Sequence, residues 1–151
     1  ANWNTRAAVY VSLVGVGYSD YTEDALNALN TCVSINPLDY DSYYKAGQIY
    51  MVKEDYDNAL AMFNRVLNIN GSHVQSLILS ASIFNEKKDT KNAIAYLEAA
   101  KQILEKNKLE DSDTYKSVVE SLKSLGVTGE TATEEKDTKE QTSQTEEKAT
   151  E

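Results

Sequence analysis

Cysteine, histidine and proline each occur once in this chain of 151 residues, and glycine only six times. A single Cys rules out an internal disulfide framework and an all-Cys zinc site, and a single His rules out a multi-His metal centre. One Pro and six Gly are too few for the many tight turns of an all-β fold. Basic residues are in the minority as well: 15 Lys and Arg stand against 24 Asp and Glu, for a net charge of −9. A chain of that sign is a poor counterion for a phosphate backbone, so no nucleic-acid partner is expected. Long hydrophobic runs are missing too. The longest, Ala7 to Val16, is interrupted by Ser12 and Gly15 and falls short of the roughly 20 apolar residues that span a bilayer, so no direct membrane insertion is expected.

What is present is enough apolar residue, 41%, for one folded domain. The charge is unevenly placed. Thr128 to Glu151 holds eight acids, three Lys and no apolar side chain beyond Ala, a composition that cannot offset its own ordering entropy. Residues 128–151 therefore read as a disordered acidic tail and residues 1–127 as the domain. The chain begins with Ala rather than Met, which reads as a trimmed piece of a longer product. Its compartment stays open, since one Cys suits the cytoplasm and the outside equally.

The most informative feature is an internal repeat. Asp24 to Pro37, Asn58 to Gly71 and Asn92 to Glu105 align without gaps at a spacing of 34 residues. A small residue recurs at Ala25, Ala59 and Ala93, and a large one follows at Leu26, Leu60 and Ile94. Large residues return at Leu29, Phe63 and Leu97, and smaller ones at Cys32, Val66 and Ala100. These offsets describe one face of a helix. Upstream of each lies a second apolar helix, clearest over Asp41 to Val52 and Val74 to Asn85. Short polar links at Lys53–Asp55 and Glu86–Asp89 join the pairs, with Asp55 and Asp89 placed as N-caps. The unit is an antiparallel helical hairpin, stacked on its copies. Small residues such as Gly47, Ala81, Ala59 and Ala93 let helices approach, and large neighbours fill the hollows beside them.

A stack of hairpins needs its open end covered. Asp113 to Leu125 supplies a cap, with Tyr115, Val118, Val119, Leu122 and Leu125 along one stripe and Lys116, Glu120 and Lys123 opposite. Ser112 or Asp113 starts this helix and Gly126 ends it.

This pattern resembles the tetratricopeptide repeat family. The second copy matches it at Tyr43, Gly47, Tyr50, Ala59 and Phe63, departing at Val66 and Gly71. The third matches at Leu77, Ala81, Phe84, Ala93, Leu97 and Ala100. The first matches at Trp3, Ala7, Tyr10, Ala25, Leu29 and Pro37, with about six extra residues between its helices. The resemblance implies an all-α superhelix of three hairpins, at about 1–38, 39–72 and 73–107, closed by a capping helix at about 112–126. It also implies a non-catalytic role in binding a protein or peptide segment, without a cofactor. Partners in this family lie in the groove lined by the first helix of each hairpin. Here that surface would comprise Asn4, Ala8 and Val11, then Asp41, Tyr44, Lys45, Gln48 and Met51, then Gln75, Ile78, Ser82 and Asn85. Of the cations and amides that grip a carboxylate in some members, only Asn4 and Lys45 have counterparts.

Isolated candidates for chemistry have ordinary explanations. His73 precedes a helix start and reads as an exposed polar residue, with Arg6 on a packing position. Cys32 sits where a small core residue belongs. Glu54, Asp55 and Asp57 lack the spacing of a calcium loop, and no phosphate-cradling glycine loop or nucleophile motif is present. Asn70-Gly71-Ser72 forms a glycosylation triplet, relevant only in a secreted protein. Ten Tyr against two Phe is unusual, and Tyr18, Tyr21, Tyr40 and Tyr44 have no seat in the repeat core, which points to a recognition surface. Two alternatives accompany the scaffold reading. The opening Asn2-Trp3, Arg6 and Val9-Tyr10, the insert and the Thr/Glu-rich terminus resemble repeat regions of bacterial O-antigen ligase-like membrane proteins, implying a module appended to a larger parent. Otherwise the open repeat ends, near Trp3 or the cap, would join copies of the chain as a homo-oligomer.

Overall fold

The computed structural model describes residues 2–127; the acidic segment 128–151 lies outside them. Seven α-helices follow in order: α1 (Trp3–Gly15), α2 (Thr22–Ile35), α3 (Tyr40–Val52), α4 (Tyr56–Ile69), α5 (Val74–Glu86), α6 (Thr90–Lys106) and α7 (Asp113–Ser124), with a short 3₁₀ turn at Ser19–Tyr21 before α2. They form three hairpins, α1/α2, α3/α4 and α5/α6. Successive hairpins meet through α2 on α3 and α4 on α5, and α7 packs on α6 as the cap. This is the all-α superhelix that the repeat implies.

Local chemistry sets the helix starts. Asn2, Asp39, Asp55, His73, Asp89 and Ser112 each accept a hydrogen bond from the backbone N–H three residues on, satisfying donors that a helix start leaves unpaired. Asp39 is why α3 begins at Tyr40, one residue before the repeat pattern suggests. Ser112, of the two candidates, caps α7. Several helices end by turning one residue into the left-handed region, with the following N–H reaching back five residues. Glu54, Lys88 and Lys108 adopt it at φ 57°, 60° and 57°, and Gly17 and Gly126 at 100° and 88°.

The periodic seats of the sequence are the core. Ala25, Ala59 and Ala93 are each 0% exposed, and Leu29, Phe63 and Leu97, Cys32, Val66 and Ala100 are buried with them. Where helices cross most closely the first helix carries a small residue. A Cβ built on Gly47 would lie 2.6 Å from Phe63 Cε1. Tyr18, by contrast, is exposed. Tyr21 is exposed as well, with its ring stacked on Tyr10 at 5.9 Å between ring centroids. Arg6 is not a packing residue: its side chain is exposed and its guanidinium lies over the Trp3 and Tyr10 rings, 5.3 and 5.8 Å from their centroids.

Candidate functional site

The first helices of the hairpins, α1, α3 and α5, are successive neighbours, and α7 extends the row. Val11 and Val14 of α1 face Gln48, Ile49 and Val52 of α3 across a hollow of about 220 Å³. Leu79 of α5 packs in the same cluster as Tyr44 and Met51 of α3. Ile78, Ser82 and Asn85 of α5 face Ser121 and Ser124 of α7, and Leu125 just after it, across a cleft of about 240 Å³.

Most of the residues singled out from the sequence lie along this row. On α3, Asp41 and Gln48 are exposed, and Tyr44, Lys45 and Met51 are half-buried. On α5, Gln75, Ser82 and Asn85 are exposed or nearly so at the rim, and Ile78 is half-buried. Residues of α1 divide. Asn4 belongs to a separate hollow at the start of α1, with Trp3, Cys32 and Asp39. Ala8 lines a shallow surface hollow with Thr5, Val9, Ser12, Leu13 and Val16.

The row carries little free charge. Lys45 is paired with Asp41 one turn earlier on the same helix. Gln48 Nε2 donates to the Tyr44 hydroxyl at 3.3 Å. Tyr44 is wedged between Phe63 and His73, with ring centroids 6.0 and 4.9 Å away. Burial, and then the Asp41 carboxylate, push its hydroxyl above the usual phenol range, so it stays protonated and neutral.

His73 departs from the sequence reading. It is half-buried rather than exposed, and its Nδ1 accepts from the Ser76 N–H at 3.2 Å and lies 2.9 Å from Ser76 Oγ. Tyr40 packs against its other side at 5.7 Å. Burial lowers its proton affinity, against a smaller opposing pull from Asp41, so this ring too is neutral near pH 7. Among the described residues no group of three His, Cys, Asp or Glu is placed to hold a metal ion, and no helix is long and apolar enough to cross a membrane. The arrangement suits contact through shape, apolar surface and neutral hydrogen bonds. Sequence reasoning missed the α7 wall, because Ser121 and Ser124 look like solvated positions on a capping helix.

Residues 40–73 and 74–107, the second and third hairpins, match the family model of the tetratricopeptide repeat. No curated protein matches the chain in sequence. Among solved structures, the chain resembles the Yersinia enterocolitica type III secretion translocator chaperone SycD, with a TM-score of 0.71, 15% identity and 82% of each chain covered. It resembles PcrH, solved in complex with the chaperone binding region of PopD, with a TM-score of 0.70, 12% identity, and 82% and 90% of the two chains covered. The TPR2B domain of yeast Sti1, solved as a complex with pHsp70, is similar with a TM-score of 0.69, 13% identity, and 83% and 98% covered. At these identities the likeness is one of fold. None of these findings supports the O-antigen ligase-like resemblance.

Proposed function

We propose that this chain is a non-catalytic interaction scaffold that binds a protein segment along the row of α1, α3, α5 and α7. The observation that carries this reading is the row itself. Tyr44, Met51 and Ile78 are half-buried apolar side chains, flanked by the polar Gln48, Gln75, Ser82 and Asn85. Aromatic and aliphatic anchors within a rim of uncharged polar groups are the composition of a peptide-binding groove. The complexes of PcrH with a region of PopD and of yeast TPR2B with pHsp70 support the choice of a peptide segment as ligand. With Lys45 already paired to Asp41, an extended or helical segment fits better than a carboxylate-terminated tail.

The test is selection of binders from a random 15-residue peptide display library, followed by fluorescence anisotropy. Tyr44→Ala and Ile78→Ala are expected to weaken the selected peptides by about five- to thirtyfold, as expected for anchor residues. Undiminished binding by both variants would remove the groove from this face.

A second reading, self-association, has its own observation. Val9 and Val16 are 53% and 73% exposed and share the outer face of α1 with Ala8 and Leu13. Only Thr5 and Ser12 interrupt this apolar face. Sedimentation at rising concentration, with Leu13→Glu as the control, tests it. A monomer at every concentration refutes it.

A further inference from the structure

The cleft between α5 and α7 has a chemistry of its own, and a binding role for it rests on the scaffold reading of the whole row. Its floor is apolar: Ala81 and Leu97 are buried, and Ile78 and Leu125 are half-buried beside them. Its rim is made of Ser82 and Asn85 on one wall and Ser121 and Ser124 on the other. No charged side chain lines it, in a chain whose net charge is −9. Its volume, about 240 Å³, is below the roughly 300–1,000 Å³ of small-molecule sites and suits one or two side chains.

The two walls differ in what they offer. Ser121 Oγ donates to the Ser117 carbonyl at 2.9 Å, and Ser124 Oγ donates to the Ser121 carbonyl at 2.8 Å. Each hydroxyl has thus used its proton and presents lone pairs. Asn85 carries both amide donors and an acceptor, and Ser82 a hydroxyl of either role. An extended main chain has N–H and C=O groups on alternate sides that require partners when taken out of water. A charged side chain entering here would lose hydration and find no counter-charge.

We propose that this cleft is the anchor subsite of the groove, taking one bulky aliphatic side chain from an uncharged stretch of peptide. The α7 hydroxyls accept from the peptide N–H groups, and Asn85 donates to a peptide carbonyl. The chain's own residues 128–151 are not the occupant: they include eight acids and no apolar side chain larger than Ala.

The experiment is a titration of the ¹⁵N-labelled chain with blocked nine-residue peptides of Ser, Gln and Thr. One carries a central Leu, one a central Ser, and one a central Leu flanked by two Glu. The Leu peptide is expected to shift the amides of residues 78–85 and 121–125 saturably. The Ser and Glu peptides are expected to bind at least about tenfold more weakly, the scale of one buried aliphatic side chain. Ser82→Phe, which fills the cleft from its rim, should abolish the shifts while the rest of the spectrum stays in place. Equal binding of the Leu and Ser peptides, or indifference to Ser82→Phe, overturns the proposal. Shifts centred on Tyr44 and Met51 instead refute the subsite while leaving the scaffold reading intact. Shifts that arise merely on concentrating the protein name a second copy as the occupant and also overturn it.

Discussion

In the second and third hairpins α3 passes into α4, and α5 into α6, by the same turn. Glu54 or Lys88 takes the left-handed conformation, and the next N–H reaches back to the carbonyl of Tyr50 or Phe84. Asp55 or Asp89 then caps the new helix, holding both the backbone and the side chain of Asn58 or Asn92. Lys53 reaches back to Glu23, and Lys87 to Asp57, the same tie displaced by one repeat. The first hairpin keeps only the left-handed residue and the N–H that reaches back five residues, from Tyr18 to Leu13. Gly17 makes its left-handed turn, a 3₁₀ segment comes next, and α2 starts after Tyr21 without a side-chain cap. Yet Ala25 is as deeply buried as Ala59 and Ala93. Packing seats survive where the turn has been rebuilt, so the seats carry the fold and the turns adjust it.

The largest effect should come from the seats. Ala59→Arg would overfill the α3/α4 seam and bury a charge, at a cost above roughly 3 kcal/mol. That corresponds to a fall in Tm of roughly ten degrees or more, read by calorimetry. Ala25→Arg should do comparable damage if the first hairpin belongs to the same cooperative unit. A small loss for Ala25→Arg beside a large one for Ala59→Arg would show that the rebuilt turn has uncoupled the first hairpin.

A smaller effect separates the second hairpin from its neighbours. Gly47 faces Phe63, whereas Ala81 in the equivalent place is 34 residues from Gly47 and shares a cluster with Leu97. The pairs exchange volume: the smaller residue meets the larger ring. Gly47→Ala would set a methyl 2.6 Å from Phe63 Cε1 and should cost about 1–3 kcal/mol despite a better helix propensity. Adding Phe63→Leu should recover part of that loss, a coupling that a double-mutant cycle in urea measures.

How much of the molecule was legible in its sequence divides along the same line. The seats, the caps at Asp55, Asp89 and Ser112 and the stop at Gly126 were readable because a 34-residue period repeats side-chain sizes and acceptors, and because the last helix carries ordinary start and stop residues. His73 was not, because a histidine after Gly-Ser looks like loop. Its meaning emerges only from the period, which sets it opposite Asp39, another cap with a serine three residues on. Arg6 lies in the rebuilt first hairpin, where no second copy indicates its place. On the candidate site, Ile78, Ser82 and Asn85 line one cleft, while Asn4 and Ala8 line hollows of their own on α1. The α7 wall was invisible, since periodicity within repeats says nothing of how a cap closes on them.

Next in size is the cap at His73, where the third hairpin uses a titratable ring in place of the carboxylate of the second. Nδ1 accepts from Ser76 only when unprotonated, and burial already holds its proton affinity below the ordinary 6.5. A lowered affinity means that the folded state favours the neutral ring. The stabilisation is therefore present above about pH 6.5 and is lost as pH falls through the lower folded value. The cap is worth about 1 kcal/mol, and Tm should decline between pH 7 and 5. His73→Asp should flatten that decline. The Asp89 carboxylate is held below its ordinary 3.8 mainly by the Asn92 side chain, so its contribution fades only in stronger acid and leaves the window clear. An identical pH profile in the variant would sink the assignment.

The smallest effect tests the turns themselves. Glu54 and Lys88 occupy the left-handed region at φ 57° and 60°, which costs an L-residue roughly 1–2 kcal/mol, while Gly17 and Gly126 hold the same kind of turn without that cost. Glu54→Gly and Lys88→Gly should each stabilise the fold by about 0.5–1 kcal/mol, after subtracting the extra freedom of glycine in the unfolded chain. Gly17→Ala should move the other way by a similar amount. Gains at both repeat turns with a loss at Gly17 would show that all three turns share one backbone solution despite their different sequences. A gain at Gly17→Ala would instead mark the first hairpin's turn as a separate structure, and its likeness to the others would then rest on the buried seats alone.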